Sequence, residues 1–170
     1  MSKHSIAFVV SAIASGFVFS PEPASASYFR TFHASFCQPS VFNPSPPSTG
    51  LSNGAGLVNY SFNTSVSATC PVSHESTDTF DLGYVFGTSN SVGGVVANAC
   101  TTYASGFVTG KGGGACGSQS SAASGHFALS LDSSALSSGD FNYIFVALGP
   151  RPGSNPNNLN EIDGYGYFAN

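Results

Sequence analysis

The chain has very few charged side chains, which limits the partners that it can bind. Only 7% of its 170 residues are Asp, Glu, Lys or Arg, and its formal net charge is −4. After residue 26 the cations are Arg30, Lys111 and Arg151 alone. Nucleic acids and anionic lipids are bound through clusters of Lys and Arg. We therefore expect no nucleic acid partner, and solubility must depend on Ser, Thr, Asn and Gly.

Long apolar runs are also absent, except at the N-terminus. Lys3 precedes a mostly apolar segment at residues 6–19, and Ala24-Ser25-Ala26 follows with small residues at the cleavage positions. This order is typical of a secretory signal peptide, and the apolar segment is shorter than the ~20 residues of a membrane helix. We predict a signal peptide at 1–26 and a secreted domain at 27–170, with no membrane span after cleavage. An uncleaved anchor is the alternative.

Helical periodicity is missing from residues 27–170, and alternation takes its place. In Leu57–Cys70 most apolar residues fall on one parity and the polar residues fall on the other. A period of two is typical of a strand with one face in the core and one in water. Similar segments recur between turns rich in Gly, Pro, Ser and Asn. This pattern predicts an all-β, single-domain antiparallel β-sandwich, with a small β-barrel as the alternative.

The alternation also predicts where the strands lie and which residues face the core. The most apolar segment, FNYIFVAL at 141–148, is predicted to be a central strand. In the third predicted strand we expect four large residues to share the inward face: Phe80, Leu82, Tyr84 and Phe86. The predicted strands are 28–36, 57–70, 79–86, 92–100, 103–108, 126–131, 141–148 and 162–168.

The polar parity of the 57–70 strand is a candidate ligand face. Amides and hydroxyls both donate and accept hydrogen bonds, as recognition of a sugar requires. Simple hydration would use the same residues, because antiparallel sheets commonly expose one face to water. The candidate residues are Asn59, Ser61, Asn63 and Ser65.

All four cysteines follow the predicted signal peptide, which favours two disulfides in a secreted chain. A zinc site is disfavoured because no C-x-x-C spacing occurs. Three pairings are possible, and we favour the pairing of sequence neighbours. This joins Cys37 to Cys70 and Cys100 to Cys116. The second bond would close a Gly-rich loop that contains KGGGACG at 111–117.

Motifs for catalysis lack their structural setting in this sequence. Gly50-Leu51-Ser52-Asn53-Gly54 matches the G-x-S-x-G of many hydrolases, but it lies in a predicted loop rich in Pro, Ser and Gly. A nucleophile elbow instead joins a strand to a helix. His74 and Glu75 begin an H-E-x-x-H zinc motif, but Asp78 stands in place of the second histidine. We therefore predict no catalytic residue, no metal and no cofactor. A hydrolase would need one of the remaining histidines, His33, His74 or His126, to face a Ser and an Asp in a cleft.

Three cysteines lie in short motifs: Phe36-Cys37-Gln38-Pro39, Ala68-Thr69-Cys70-Pro71-Val72 and Ala99-Cys100-Thr101. Aromatic segments follow at Tyr143 to Pro150 and at Ile162-Asp163-Gly164-Tyr165. Together these motifs resemble a loose group of small secreted bacterial four-cysteine proteins of unknown function. The resemblance covers most of the domain. It implies a signal peptide, a disulfide-linked β domain and no catalytic residues to carry over.

These features together predict a role outside the cell that does not involve catalysis. We expect a secreted, non-enzymatic structural or interaction protein of the cell surface or extracellular space. Its partner would be a second copy of the chain or a surface glycan, because low charge and many aromatic residues suit close packing. A carbohydrate-binding module is the first alternative, and a small secreted hydrolase is the second.

Overall fold

The regular secondary structure of the described residues is almost all β-strand. The computed structural model describes residues 27–39, 49–51, 56–75, 79–103, 113–137, 140–151, 153 and 158–170. The predicted signal peptide and most of the predicted strand at 103–108 lie outside these ranges. The strands are β1 Tyr28–His33, β2 Gln38–Pro39, β3 Thr49–Leu51, β4 Leu57–Asn59, β5 Val66–Pro71, β6 Phe80–Ser89, β7 Val95–Thr102, β8 Gly114–Cys116, β9 Ser120–Ser121, β10 Gly125–Leu131, β11 Phe141–Leu148 and β12 Asn160–Ala169. One 3-10 turn, Ala34–Phe36, follows β1.

The strands form two antiparallel sheets that face each other. Sheet A has the order β10-β6-β12-β4-β3, and β1 lies on the same edge of β12 as β4. Sheet B has the order β2-β5-β11-β7-β8, and β9 also pairs with β7. The two sheets do not close into a barrel. The predicted all-β sandwich is therefore confirmed, and the barrel alternative is wrong.

The core lies between the sheets and is built from the inward parity of each central strand. Strand β11 lies between β5 and β7, so the most apolar segment of the sequence is a central strand, as predicted. Alternate residues of β11 and β7 are almost inaccessible to solvent and meet the inner face of sheet A. Fully buried residues of these strands are Val95, Ala97, Ala99, Ile144, Val146 and Leu148. Sheet A contributes Val85, Leu131, Ile162, Tyr165 and Tyr167.

The prediction of one strand over Leu57–Cys70 is wrong, because this segment crosses between the sheets. Strand β4 ends at Asn59 and pairs with β12 in sheet A, whereas β5 pairs with β11 in sheet B. Between them the Ser61 hydroxyl accepts the backbone N–H groups of Asn63 and Thr64. Such local side-chain bonds offer the backbone an alternative to a sheet ladder. The alternation in the sequence continues through this turn although the strand does not.

The inward face predicted for the third strand is also wrong for most of its residues. Three of the four large residues lie on the outer side of sheet A: Leu82, Tyr84 and Phe86. The register on β12 passes from Leu82 to Phe80 while β12 advances by one residue, so Asp81 is an extra residue in β6. A bulge of this kind inverts the side-chain parity beyond it. Phe80 therefore packs against the core while Val85 and its parity partners fill it.

Two tyrosines of β12 tie sheet A to the end of β5. Both rings are fully buried between the sheets. The Tyr165 hydroxyl donates to the carbonyl oxygen of Pro71 at 2.7 Å, and the Tyr167 hydroxyl donates to that of Ser73 at 2.9 Å. Burial raises the pKa of Tyr165 to about 12. The apolar rings thus contribute to the core while each hydroxyl satisfies a backbone carbonyl of the opposite sheet.

Two buried asparagines tie the sheets together at the opposite end of β12. Asn59 and Asn160 lie opposite each other in the β4–β12 register. Both side-chain amides donate to the carbonyl oxygen of Gly149, which follows β11 of sheet B. The Asn160 side-chain oxygen also accepts the backbone N–H of Asn90 in the turn after β6. Each of these side chains therefore joins a strand of sheet A to the segment that follows β11 of sheet B.

Both disulfides have the pairing that the sequence predicts. Cys37 is joined to Cys70, and both residues are buried. Cys100 is joined to Cys116, its direct partner in the β7–β8 register, and Cys116 is exposed. The predicted loop at 111–117 is wrong in part, because its last residues pair with β7 as strand β8.

The first prediction concerns the ties made by tyrosine. Replacing Tyr165→Phe removes one hydrogen bond and should lower the free energy of unfolding by about 1–2 kcal/mol. Between pH 10 and pH 12 the unfolded chain ionises at this position before the folded chain does, so wild-type stability should fall there. Below pH 10 this residue adds no pH dependence. Urea unfolding between pH 10 and pH 12 should show that the free energy of unfolding falls less in Tyr165→Phe than in the wild type.

The matched control for this prediction is Tyr103→Phe, because Tyr103 is 41% exposed. This variant should unfold like the wild type at every pH. Equal stability of Tyr165→Phe and wild type at pH 7 would contradict a role for the hydroxyl in tying the sheets.

The second prediction compares the two disulfides. The chain-entropy model gives about 4 kcal/mol for the bond that spans 33 residues and about 3 kcal/mol for the one that spans 16. Loss of the first also leaves a cavity in the core, so Cys37→Ala/Cys70→Ala should be the less stable double variant. Urea unfolding of both variants measures the difference. A larger loss in Cys100→Ala/Cys116→Ala would contradict this order.

Candidate functional site

The predicted ligand face is not continuous, because Asn59 is fully buried. Its side-chain nitrogen lies within 3.0 Å of the carbonyl oxygens of Thr64, Leu148 and Gly149. Its side-chain oxygen accepts the backbone N–H of Ser61 at 2.8 Å. A buried amide whose polar atoms are all bonded within the protein offers none of them to a ligand. Asn59 is therefore a structural residue, and its prediction as part of a ligand face is wrong.

The other three candidate residues lie on the connection between β4 and β5. Ser61 is half-buried and bonds its own turn, whereas Asn63 and Ser65 are exposed. The connection is held against the segment after β11, because the backbone N–H of Arg151 donates to the Ser61 carbonyl. The Arg151 guanidinium also lies 3.7 Å from the ring centre of Phe62. The exposed polar side chains here thus lie on a turn and not on the face of a sheet.

The three histidines lie apart from one another, each on a different element. The His33 ring is 3.0 Å from the Ser35 hydroxyl, and the His126 ring is 3.1 Å from the Thr88 hydroxyl. The Nε2 atom of His74 is 3.2 Å from the backbone oxygen of Asp140. A hydrolytic triad needs the imidazole oriented by a carboxylate and beside a nucleophile. Each ring instead meets a hydroxyl or a backbone carbonyl.

The Asp132 carboxylate caps a turn. It accepts the backbone N–H groups of Ser118 and Ser134, each at 3.0 Å. These hydrogen bonds hold the pKa of its carboxyl well below the usual range. Within the described ranges, no cluster of three or more His, Cys, Asp or Glu residues is placed to hold a metal ion. In the same part of the chain, no helix has the length and apolar character to cross a membrane.

An aromatic cluster lies on the outer face of sheet A, on the side away from the core. We call Phe29, Tyr84 and Phe168 the outer aromatic cluster. The ring centres of Phe29 and Phe168 are 4.5 Å apart, and Tyr84 meets both edge-on at 5.9 and 5.5 Å. Phe29 is 45% exposed and Phe168 is 37% exposed. Three strands, β1, β6 and β12, thus bring large rings together in contact with water.

Glycines of β12 allow these rings to lie close to the sheet. A side chain on Gly164 would collide with the ring of Phe86, and one on Gly166 would collide with the backbone oxygen of Arg30 and press on the ring of Phe29. Glycine in a strand weakens it, and it often marks a place where another group approaches closely. The rings of neighbouring strands cover the exposed glycine backbone, an arrangement that stabilises designed sheets as well.

The nearest outward neighbours of the outer aromatic cluster are uncharged, and Glu161 lies further along β12, opposite Thr88. Thr31 lies on the same side of β1, and Ala128 and Ser130 lie opposite Phe86 and Tyr84 in the β10–β6 register. An apolar surface with exposed rings can pack against another apolar surface without desolvating ions. This face therefore offers aromatic side chains for packing.

A second aromatic group lies on the outer face of sheet B. Phe141, Tyr143 and Phe145 occupy alternate outward positions of β11, and we call them the β11 row. Phe141 is 63% exposed. A pocket of about 490 Å³ opens at its end, between β11 and the end of β5. This β5–β11 pocket is lined by Thr69, Pro71, Val72, Ser73, His74, Asp140, Phe141, Asn142 and Tyr143.

Sequence reasoning missed the outer aromatic cluster because its members are far apart in the chain. Positions 29, 84 and 168 meet only through the pairing of β12 with both β1 and β6. One local signal was available in the sequence. Gly164 and Gly166 alternate with buried tyrosines, which marks a strand whose outer side must be covered by neighbouring side chains.

The third prediction separates a structural from a ligand-binding role at the β4–β5 connection. Asn59→Ala should lower the free energy of unfolding by about 2–3 kcal/mol, because buried carbonyl groups lose their donor. Asn63→Ala is the matched control and should change it by less than about 0.5 kcal/mol, since Asn63 is exposed. Urea unfolding checks both values. Similar stability of the two variants would contradict the structural role of Asn59.

Comparison with known proteins gives no relative from which a role could be transferred. The candidate surfaces are therefore defined by the residues of this chain alone. No family model, no curated protein and no solved structure matches the chain.

Proposed function

We propose that the chain is a secreted, non-enzymatic structural or interaction protein that works at the cell surface or in the extracellular space. The observation that carries the proposal is the outer aromatic cluster of Phe29, Tyr84 and Phe168 on sheet A. The two disulfides support an oxidising location, because such bonds form and persist outside the cytosol. The protein would act by packing sheet A against a second apolar surface.

The size of this face suits a specific contact. Four neighbouring strands at about 4.8 Å spacing give a width of about 19 Å, and ten residues of β12 give a length of about 33 Å. This amounts to roughly 600 Å², which approaches the ~800 Å² per partner of a standard interface. Aromatic residues at the centre of such a face contribute most of the binding energy in many interfaces.

The low charge of the chain favours self-association as the mode of contact. Two copies that meet through the same face repel each other only weakly, because that face has no charged residue at its centre. Two sheets that pack face to face lie about 10 Å apart and interdigitate their side chains. Rings that lie over the glycines of one copy could pack between the rings of the other.

The non-enzymatic part of the proposal is supported by the contacts of the histidines. His33, His74 and His126 lie on separate elements, and each is engaged by a hydroxyl or a backbone carbonyl. A hydrolase would also predict loss of activity when all three are replaced by Ala. An activity that disappears in that triple variant, with the fold intact, would favour the hydrolase.

The fourth prediction tests the proposed contact. In Phe29→Ser/Phe168→Ser the outer aromatic cluster loses two rings, and self-association should weaken at least about 30-fold, as for a strong interface residue. Size-exclusion chromatography with light scattering on oxidised residues 27–170 should show an oligomer for the wild type and a monomer for the variant. Washed producing cells should also retain less of the variant.

Val92→Ser is the matched control, because Val92 is an apolar residue that is 83% exposed in the turn after β6. It should leave the mass and the surface retention unchanged. Near-UV circular dichroism verifies that each variant is folded. A wild type that stays monomeric at high concentration, and is retained on cells no better than the double variant, would overturn the proposal.

A further inference from the structure

The β5–β11 pocket lies on the sheet opposite to the outer aromatic cluster. Its volume of about 490 Å³ lies within the range of small-molecule sites. One wall is made by the end of β5 and the residues after it, from Thr69 to His74. The other wall is the start of β11, from Asp140 to Tyr143. The backbone N–H of Val72 donates to the carbonyl of Asn142 at 3.0 Å and joins the two walls.

The walls of the pocket are fixed by contacts with the core. The carbonyl oxygens of Pro71 and Ser73 accept the hydroxyls of Tyr165 and Tyr167 from sheet A. The His74 ring bonds the Asp140 carbonyl and meets the edge of Phe80 at 5.2 Å. The pocket therefore has the pre-formed shape that small-molecule sites usually have.

The groups around the pocket disfavour an anionic ligand and offer both apolar and hydroxyl surfaces. Phe141 is 63% exposed at its mouth, and Tyr143 beside it carries both a ring and a hydroxyl. Thr69 and Ser73 add hydroxyl groups on the opposite wall. No Lys or Arg is among the described residues that line the pocket, so phosphate, sulfate and acidic sugars have no counter-ion there.

The β11 row continues the apolar surface beyond the pocket. Phe141, Tyr143 and Phe145 span four residues of strand, which is about 13 Å at ~3.3 Å per residue. Phe145 lies between Thr69 of β5 and Asn98 of β7 in the register, so a hydroxyl and an amide flank it. A line of rings with polar groups on both sides suits an extended ligand with more than one ring.

From these features we infer that the β5–β11 pocket and the β11 row bind a neutral saccharide chain. The C–H face of a pyranose would stack on Tyr143 and Phe141, and its hydroxyls would bond the Thr69, Ser73 and Tyr143 side chains. This site differs from the predicted sugar-binding face at Asn59 to Ser65. It also lies on the opposite sheet from the surface of the proposed function, so the two can be tested separately.

The test uses oxidised residues 27–170 and a panel of neutral hexasaccharides of glucose, xylose, mannose, galactose and N-acetylglucosamine. Isothermal titration calorimetry should detect binding of at least one of them. Tyr143→Ala should then weaken binding at least about tenfold, which corresponds to about 1.4 kcal/mol. Tyr143→Phe keeps the ring and should weaken binding less than Tyr143→Ala.

Val92→Ser is the control, because Val92 lies outside both surfaces, and it should bind the saccharide as the wild type does. Near-UV circular dichroism and urea unfolding verify the fold of every variant. If the folded wild type binds none of the saccharides in the panel, the inference is overturned. So would binding that Tyr143→Ala leaves unchanged, or binding of tetramethylammonium without any saccharide, since aromatic rings beside Asp140 would also suit a cation.

Discussion

The architecture depends on the side chains with which β12 reaches across the core. Tyr165 and Tyr167 place their rings between the sheets and donate to carbonyl groups at the end of β5, while Asn160 bonds the segment after β11. Each of these contacts links sheet A to sheet B through a hydrogen bond in a buried place. Because unsatisfied buried groups are costly, the contacts fix both the spacing of the sheets and their relative position.

The same strand explains why the two outer faces differ. Inward positions of β12 carry tyrosines, and its outward positions carry glycines that neighbouring rings cover. The exterior of sheet A thus carries aromatic rings and has no charge at its centre. Sheet B presents a single row of rings along β11 and a pocket whose wall is held by the β12 tyrosines. One strand therefore supports the candidate surfaces on both sides of the sandwich.

Much of the fold could be predicted from the sequence because its signals are local. Period-two alternation predicts strands, the apolar segment at 141–148 predicts a central strand, and the even cysteine count predicts two bonds. Two of the errors in the strands have one physical cause: the alternation of apolar and polar residues continues along the sequence where the strand itself bulges or ends. At Asp81 one extra residue inverts the facing of β6, and near Ser61 a turn moves the chain to the other sheet. No local pattern distinguishes these places from a straight strand.

The candidate sites were harder to predict than the fold because they are assembled from distant segments. Asn59 looks like a surface residue in the sequence, yet it satisfies carbonyl groups about 90 residues away. The cluster of Phe29, Tyr84 and Phe168 requires knowledge of which strands are neighbours. The role of a polar residue in this chain can be assigned only when its burial is known. The same Asn can lie in water at the surface or satisfy buried backbone groups in the core.

The position of β12 in the chain has a consequence for the order of events during synthesis. It is the last of the described strands, yet it lies between β6 and the first strand, with Tyr28 paired to Ala169. Sheet A cannot be completed until β12 has been made, and such long-range pairing closes slowly. Until then the inner face of sheet B lacks the rings of Tyr165 and Tyr167, which cover it in the folded domain.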